Sequence, residues 1–310
     1  MALYRVDPTP QDTVNVFSAA HEPVLTVEPG DTIVVRSLDA AGYLERQEFP
    51  GDAGRPKMFA GDFRGHCLNR PVAVRGAVPG DLLAVEIVSL TPDPWGWTVS
   101  PAVPDSPVLR RLGLVGAEPA WLLWEIDGAA GTATANGKYT RSLAPFLGVT
   151  GVAPAAPGEH STIPPRTEAG GNIDCKELVA GSTLYLPVVA DGALLYLGDG
   201  HGAQGDGESC GTAIECGMTT EAVVSIAAGR PLASVHAQTP AGLVTFGFSA
   251  DLNEAMGDAL DAMVTWMSSL YGTSRAEALA LASNCVDLRV TQVVNMTWGV
   301  HALLPAGLLT

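Results

Sequence analysis

Basic residues are scarce in this chain: 17 Lys and Arg stand against 33 Asp and Glu in 310 residues, a formal net charge of −16. That field repels polyanions, so nucleic acid and anionic membrane surfaces are poor partners, and a neutral or cationic small molecule fits better. Long apolar runs are missing too. No stretch of about 18 uninterrupted apolar residues occurs, and the opening MALYRVDPTPQDTVNVF has no apolar h-region, so a soluble, cytoplasmic protein is expected. The five cysteines, Cys67, Cys175, Cys210, Cys216 and Cys285, are an odd set without a CxxC pair, which argues against a disulfide framework or a zinc knuckle and for reduced thiols. No internal repeat of about 20 to 50 residues is visible beyond one doubled turn.

What the chain does have is glycine and proline, 35 and 23 of them, with 47% hydrophobic residues. That balance favours short strands and many turns over long helices. EPGD at 28–31 precedes TIVVRSL, and VPGD at 78–81 precedes LLAVEIVSL; in each turn the aspartate is expected to bond its own downstream backbone. STLYLPVV and ALLYLGDG read as two further strands joined by an ADG turn, and residues 91–140 resist assignment. The Pro/Gly-rich stretch 153–171 cannot sustain a helix and is expected to run over the surface or across a site. After residue 250 the period changes: Leu252, Ala255, Met256, Ala259, Leu260, Met263, Val264, Met267 and Leu270 mark an apolar helix stripe, with its methionines in the core. Ser274 and Glu277 make a capping-box pattern for a second helix, and VDLRVTQVV alternates as a strand. The expected fold is mainly β with an α+β part: a β-sandwich or barrel lobe packed with a smaller C-terminal α+β unit, divided as 1–145, 146–235 and 236–310.

Chemistry concentrates in three clusters. GDGHGAQGDGE at 198–208 offers Asp199, His201, Gln204, Asp206 and Glu208 on a glycine-rich backbone that allows close approach. Its plain alternatives are a solvated turn or a calcium loop. GGNIDCKE places Asn172 and Asp174 on one side of an extended chain. In GTAIECG, Glu215 stands in an apolar strand, where it either points outward or is paired, bonded or metal-bound. Imidazole with carboxylates suits Zn²⁺, Mn²⁺ or a similar divalent ion. Cys210 is the better thiol nucleophile, since Cys175, Lys176 and Glu177 alternate faces and cannot converge. His236 and His301 read as packed core histidines, and His21, His66 and His160 as solvated surface.

In order along the chain, EPGDTIVVRSLDA, VPGDLLAVEI, APFLGVTGVAP, GGNIDCKELVAGSTLYLPV, GDGHGAQGDGESCGTAIE, VTFGFSADLNEAMGDAL and DLRVTQVVNMTWGVHALLP together resemble the acetamidase/formamidase family. The resemblance covers most of the chain. It implies a hydrolase that cleaves short linear amides to carboxylate and ammonia, and it maps the family's polar cluster onto Asn172, Asp174, His201, Gln204, Asp206 and Glu215, with Asp199 and Glu208 inside the same motif. The expected mechanism is a divalent ion, zinc first, held by Asp174, His201 and Glu215 or Asp206. The remaining carboxylate serves as base, and Gln204 or Asn172 with glycine N–H groups serves the oxyanion. A metal-free amidase using Cys210, or a non-catalytic calcium- or small-molecule-binding protein, are the alternatives. A homo-oligomer, a dimer or larger, is expected.

Overall fold

The two matched turns set the frame. In each, the backbone N–H of the first residue donates to the aspartate carboxylate three residues on, Glu28 to Asp31 and Val78 to Asp81, both at 3.0 Å. The aspartates therefore bond backwards across the turn, not downstream, and lock it just before the chain extends. The computed structural model describes residues 1–309 apart from 53, 62, 104 and 229–231.

From these turns run the strands Asp31–Ser37 and Leu82–Pro92, and Met218–Ala227 lies between them, antiparallel to both. Leu3–Val6 flanks Asp31–Ser37 at one edge; on the other side of Leu82–Pro92 follow Thr183–Pro187, His236–Thr239, Gly242–Ser249, Trp298–Pro305 and Asp287–Gln292. This nine-stranded sheet takes strands from all three stretches named from the sequence, which are thus interwoven and not stacked end to end.

A second sheet, of twelve strands, has the main order Tyr139–Ser142, Thr132–Ala135, Ala120–Asp127, Trp95–Ser100, Glu215–Cys216, Leu195–His201, Phe146–Val152 and Gly170–Asn172. The stretch 91–140 supplies three of these strands, the start of Tyr139–Ser142 and the short helix Pro107–Leu112. STLYLPVV and ALLYLGDG do not form a hairpin: Thr183–Pro187 belongs to one sheet and Leu195–His201 to the other. One apolar cluster joins the sheets, with Ile33, Leu83 and Val224 from the first and Leu147, Leu195 and Leu197 from the second. Burial of such aliphatic side chains contributes about 2 kcal/mol each, which fixes the two sheets face to face.

The C-terminal helix Leu252–Tyr271 lies on the first sheet. Its buried face is Ala255, Ala259, Met263, Val264, Trp266 and Met267, while Leu252, Met256 and Leu270 of the expected stripe are exposed. The approach to the sheet is close: a Cβ on Gly247 of the neighbouring strand would strike the Ala255 carbonyl and come within 2.8 Å of Ala259 N. Only small residues fit at Ala255 and Ala259, where that strand approaches. Ser274 caps Arg275–Cys285 by accepting from Glu277 N–H at 3.2 Å, but the Glu277 carboxylate binds the Thr273 hydroxyl, leaving the capping box half made.

Candidate active site

The first four residues of GDGHGAQGDGE are strand, not loop. Leu195–His201 pairs with Phe146–Val152 on one side and Glu215–Cys216 on the other, which puts His201 opposite both Phe146 and Glu215, and Glu215 opposite Trp97. Cross-strand neighbours have Cβ atoms about 5 Å apart, so the register alone brings this imidazole and this carboxylate together. His201 Nε2 lies 3.4 Å from Glu215 Oε1 and 3.5 Å from Asp199 Oδ1. Asp174 arrives from the turn after Gly170–Asn172, its Oδ1 3.9 Å from His201 Nδ1. Glu208 closes the group; its carboxylate, that of Glu215 and the imidazole of His201 offer ligand atoms within 4.8 Å of one another, as do Asp174, Asp199 and His201. Asp174 and Glu215 thus fall in two overlapping sets that share His201.

None of these groups is more than 7% exposed, so the outward-pointing alternative for Glu215 does not hold. Asp174, Asp199 and Glu208 also sit at φ of +52°, +59° and +42°, a region that side chains with a Cβ avoid. Such strain persists where the surrounding structure holds it for function. The hole between them is kept by Gly148: a Cβ there would collide with Asp199 Oδ2 and lie 2.6 Å from Asp174 Oδ1 and 2.8 Å from His201 Cε1.

Gln204 spans the cluster with its Oε1 3.0 Å from His201 Nδ1 while its Nε2 donates to the Asp174 carbonyl at 2.8 Å. Gln204 thereby orients His201, and it borders the cavity that holds Cys210, not the one that His66 lines. Asp206 is not brought into the cluster. Its carboxylate turns to Lys176 Nζ at 2.7 Å with about a quarter of the side chain exposed (28%). Two residues apart on an extended chain, Asp206 and Glu208 would share a face; Gly207 at φ +99° and Glu208 at φ +42° break that alternation, and the turn sends them apart.

Two groups were missed in the sequence. His66, read as solvated, is 8% exposed and places Nε2 3.6 Å from Asp199 Oδ2. Asn295 donates to Asp174 Oδ2 and holds the Asn172 carbonyl at 3.4 Å. Neither lies in a glycine-rich run; the signal for Gly148 was there, as a glycine inside the apolar strand FLGVTGV, a position that marks close approach. His236 and His301 are buried as expected.

Burial raises Asp174 and Glu215 to about 7, each also raised by Asp199 and opposed by His201. Burial and then the Asp174 charge push Glu208 well above the usual carboxylate range. Burial opposes ionisation of Asp199 as well, but the adjacent imidazoles of His66 and His201 win and lower it. His201 is disfavoured as a cation by burial yet raised by Glu215 and Asp199, while burial lowers His66. The site opens on a cavity of about 240 Å³ whose floor includes His66, Asn172, Asp199, Glu208, Glu215 and Asn295. Cys210 lies outside it, bordering a separate cavity in which no histidine takes part among the described residues, with Sγ 3.4 Å from the Thr212 carbonyl. Cys175 and Cys216 are fully buried, and burial raises both thiols.

The family description "Acetamidase/Formamidase family" matches residues 5–161 and 154–308. The chain belongs to the acetamidase/formamidase family. That membership makes it a hydrolase of linear amides. The crystal structure of an acetamidase from Bacillus halodurans is similar over 97% of both chains, at 28% identity and a TM-score of 0.85. An acetamidase structure from Yersinia enterocolitica matches 99% of this chain and 93% of its own, at 25% identity and the same TM-score of 0.85. An acetamidase from Mycolicibacterium smegmatis is 31% identical over 209 residues, 49% of this chain and 51% of that one, so the chain spans about half its length. No helix among the described residues is long and apolar enough to cross a membrane.

Proposed function

We propose that this chain hydrolyses linear amides to carboxylate and ammonia on the floor of the 240 Å³ cavity, with a divalent cation, zinc first, as cofactor. The observation that carries the reading is a set of buried oxygens with no hydrogen-bond partner, Asp174 Oδ1, Asp199 Oδ1 and Glu215 Oε2, gathered around one imidazole. Buried anionic oxygens are costly unless paired or metal-bound, and Gly148, lacking a Cβ, keeps clear the space beside Asp174 Oδ1 and the Asp199 carboxylate. The donor set of carboxylates with an imidazole fits a hard-to-borderline divalent ion, with Asp174, Asp199 and His201, or His201 and Glu215 of the overlapping set, as the groups that would hold it. When bound, such an ion lowers the pKa of a water and polarises the amide carbonyl.

The remaining roles belong to the chain. Glu208 faces the cavity; as the carboxylate it takes the proton of the attacking water, and its raised affinity for that proton lets it hold it and pass it to the departing nitrogen. Thr162 Oγ1 accepts from the His66 backbone N–H at 2.9 Å, lies 2.9 Å from Nδ1, and in this reading donates its hydroxyl proton to that nitrogen. The His66 ring then carries its proton on Nε2, where it serves the developing oxyanion. Asn172 donates to the Ile163 carbonyl at 3.1 Å and keeps its Oδ1 unpartnered beside the cavity, an acceptor for the substrate's amide N–H.

The test is ammonia release from formamide, acetamide and propionamide with and without EDTA. Activity is expected to disappear with chelator and return with Zn²⁺ or Mn²⁺. Full activity in EDTA together with inactivation by iodoacetamide would instead assign the chemistry to a thiol such as Cys210.

A further inference from the structure

The walls above the acid–imidazole floor are a different chemistry. Phe63, Trp97, Val99, Val103, Ile163 and Val294 line the cavity. Besides His66, no basic side chain among the described residues lines it. Such a wall offers nothing to a charged or polar acyl group and a good deal to an apolar one. Phe63 stands at the lip, 58% exposed, with its ring edge-on to His66 at 5.8 Å between centroids. Behind it the wall is stiff. The Trp97 indole donates to Asp39 Oδ2 at 3.1 Å, and that carboxylate is itself buried and accepts from Tyr43 N–H at 3.2 Å, so the ring is held as one side of the cavity and cannot swing in to fill it.

Size points the same way. At about 30 Å³ for each water-sized unit, 240 Å³ accommodates about eight non-hydrogen atoms, roughly twice those of acetamide. Small residues keep that room open: Ala40, Ala41, Ala102 and Gly211 also border the cavity, and a Cβ on Gly211 would already come within 3.1 Å of Ala102 Cβ.

We infer that the preferred substrates are neutral primary amides whose acyl group is an apolar chain of about four to six carbons, with the amide at the carboxylate floor and the chain against the Trp97 and Ile163 walls. This rests on the amide-hydrolase reading above and adds the acyl specificity. Formamide and acetamide leave most of the apolar wall in contact with water and gain nothing from it.

The experiment is kcat/KM for ammonia release by the metal-loaded protein on formamide, acetamide, butyramide and hexanamide. Each methylene buried against the wall is expected to raise kcat/KM about fourfold, so hexanamide exceeds acetamide by at least about fiftyfold. Ala102→Phe, at an exposed lip position whose backbone bond to the Cys210 carbonyl does not depend on the side chain, is expected to lower the hexanamide-to-acetamide ratio at least about tenfold. A profile that is flat or falls with chain length, with ammonia still released from acetamide, overturns the acyl inference alone; an unchanged ratio in Ala102→Phe does the same. Ammonia from none of the four amides overturns the hydrolase reading beneath it.

Discussion

Gly148 is the residue on which the site most depends, although it carries no functional group. The place a Cβ on it would take is where the Asp174 and Asp199 carboxylates and the His201 ring converge, and its carbonyl accepts from Ile173 N–H at 2.9 Å, tying the Asp174 segment to the strand. Gly148→Ala is expected to lower metal content and kcat/KM at least about a hundredfold while costing about 1 to 3 kcal/mol of stability, as overpacking does. Metal analysis and a denaturant titration on the same preparation separate the two effects. His66 and Gln204 make a contrasting pair. His66→Ala removes a donor to the oxyanion and should reduce kcat about a hundredfold with little change in KM. Gln204→Ala removes the group that orients His201, so it should weaken metal affinity by about ten- to a hundredfold, read by competition with a chelating dye. Asp206→Asn, by contrast, should leave kcat/KM within about threefold, because an ion pair at the surface with Lys176 is screened by solvent.

Much of this was legible in the residues and some was not, for identifiable reasons. The glycine-rich runs pointed to Asn172, Asp174, Asp199, His201, Gln204 and Glu208 because close backbone approach needs glycine and few other residues supply several heteroatoms in one span. Sequence spacing could not distinguish Asp206 from Glu208, since a single left-handed glycine between them decides which one turns inward. His66 and Asn295 were out of reach: they come to the site through loops about 130 and 90 residues from His201, and no local pattern encodes a contact of that kind.

At the scale of elements, the register of one strand does most of the assembly. Because Leu195–His201 is flanked by Phe146–Val152 and Glu215–Cys216, a shift by one residue would turn His201 and Asp199 to the opposite face and dissolve the cluster. The alternation that makes strands readable revealed these segments, and the doubled PGD turn located two more. What it could not reveal was which strands pair, so STLYLPVV and ALLYLGDG, read as successive strands joined by a turn, fall in different sheets, and the stretch 91–140 stayed unassigned. The helix Leu252–Tyr271 shows the same limit: its period gave the helix, but not the Gly247 contact that requires small residues at Ala255 and Ala259. Gly247→Ala should therefore cost about 3 kcal/mol in chemical denaturation, without altering the metal content of the folded fraction.

For the whole molecule, a cluster of buried acids makes stability depend on pH and on metal together. Asp174 and Glu215 are raised to about 7 by burial, above the ordinary 3.8 and 4.5, so the folded chain holds protons there that the unfolded chain has released. Their contribution is present below about pH 4 and is lost as pH rises through about 7. Asp199, held low by the imidazoles, acts in the opposite sense only at more acid pH. Chelated protein should accordingly gain more from a divalent ion at pH 8 than at pH 5. At about a hundredfold excess over Kd the ion adds about 3 kcal/mol, or about 5 °C in Tm, at the higher pH. A rise in Tm of equal size at both pH values would show that the buried carboxylates are not where the ion binds.

The central claim is that His201 and its surrounding carboxylates form one metal-dependent amidase centre. Anomalous diffraction from crystals of protein purified without chelator, active on an amide before crystallisation, tests it most directly. The account expects a peak within about 2.0 to 2.3 Å of His201 and of carboxylate oxygens from Asp174, Asp199 or Glu215. Fully active crystals with no anomalous peak there would contradict it.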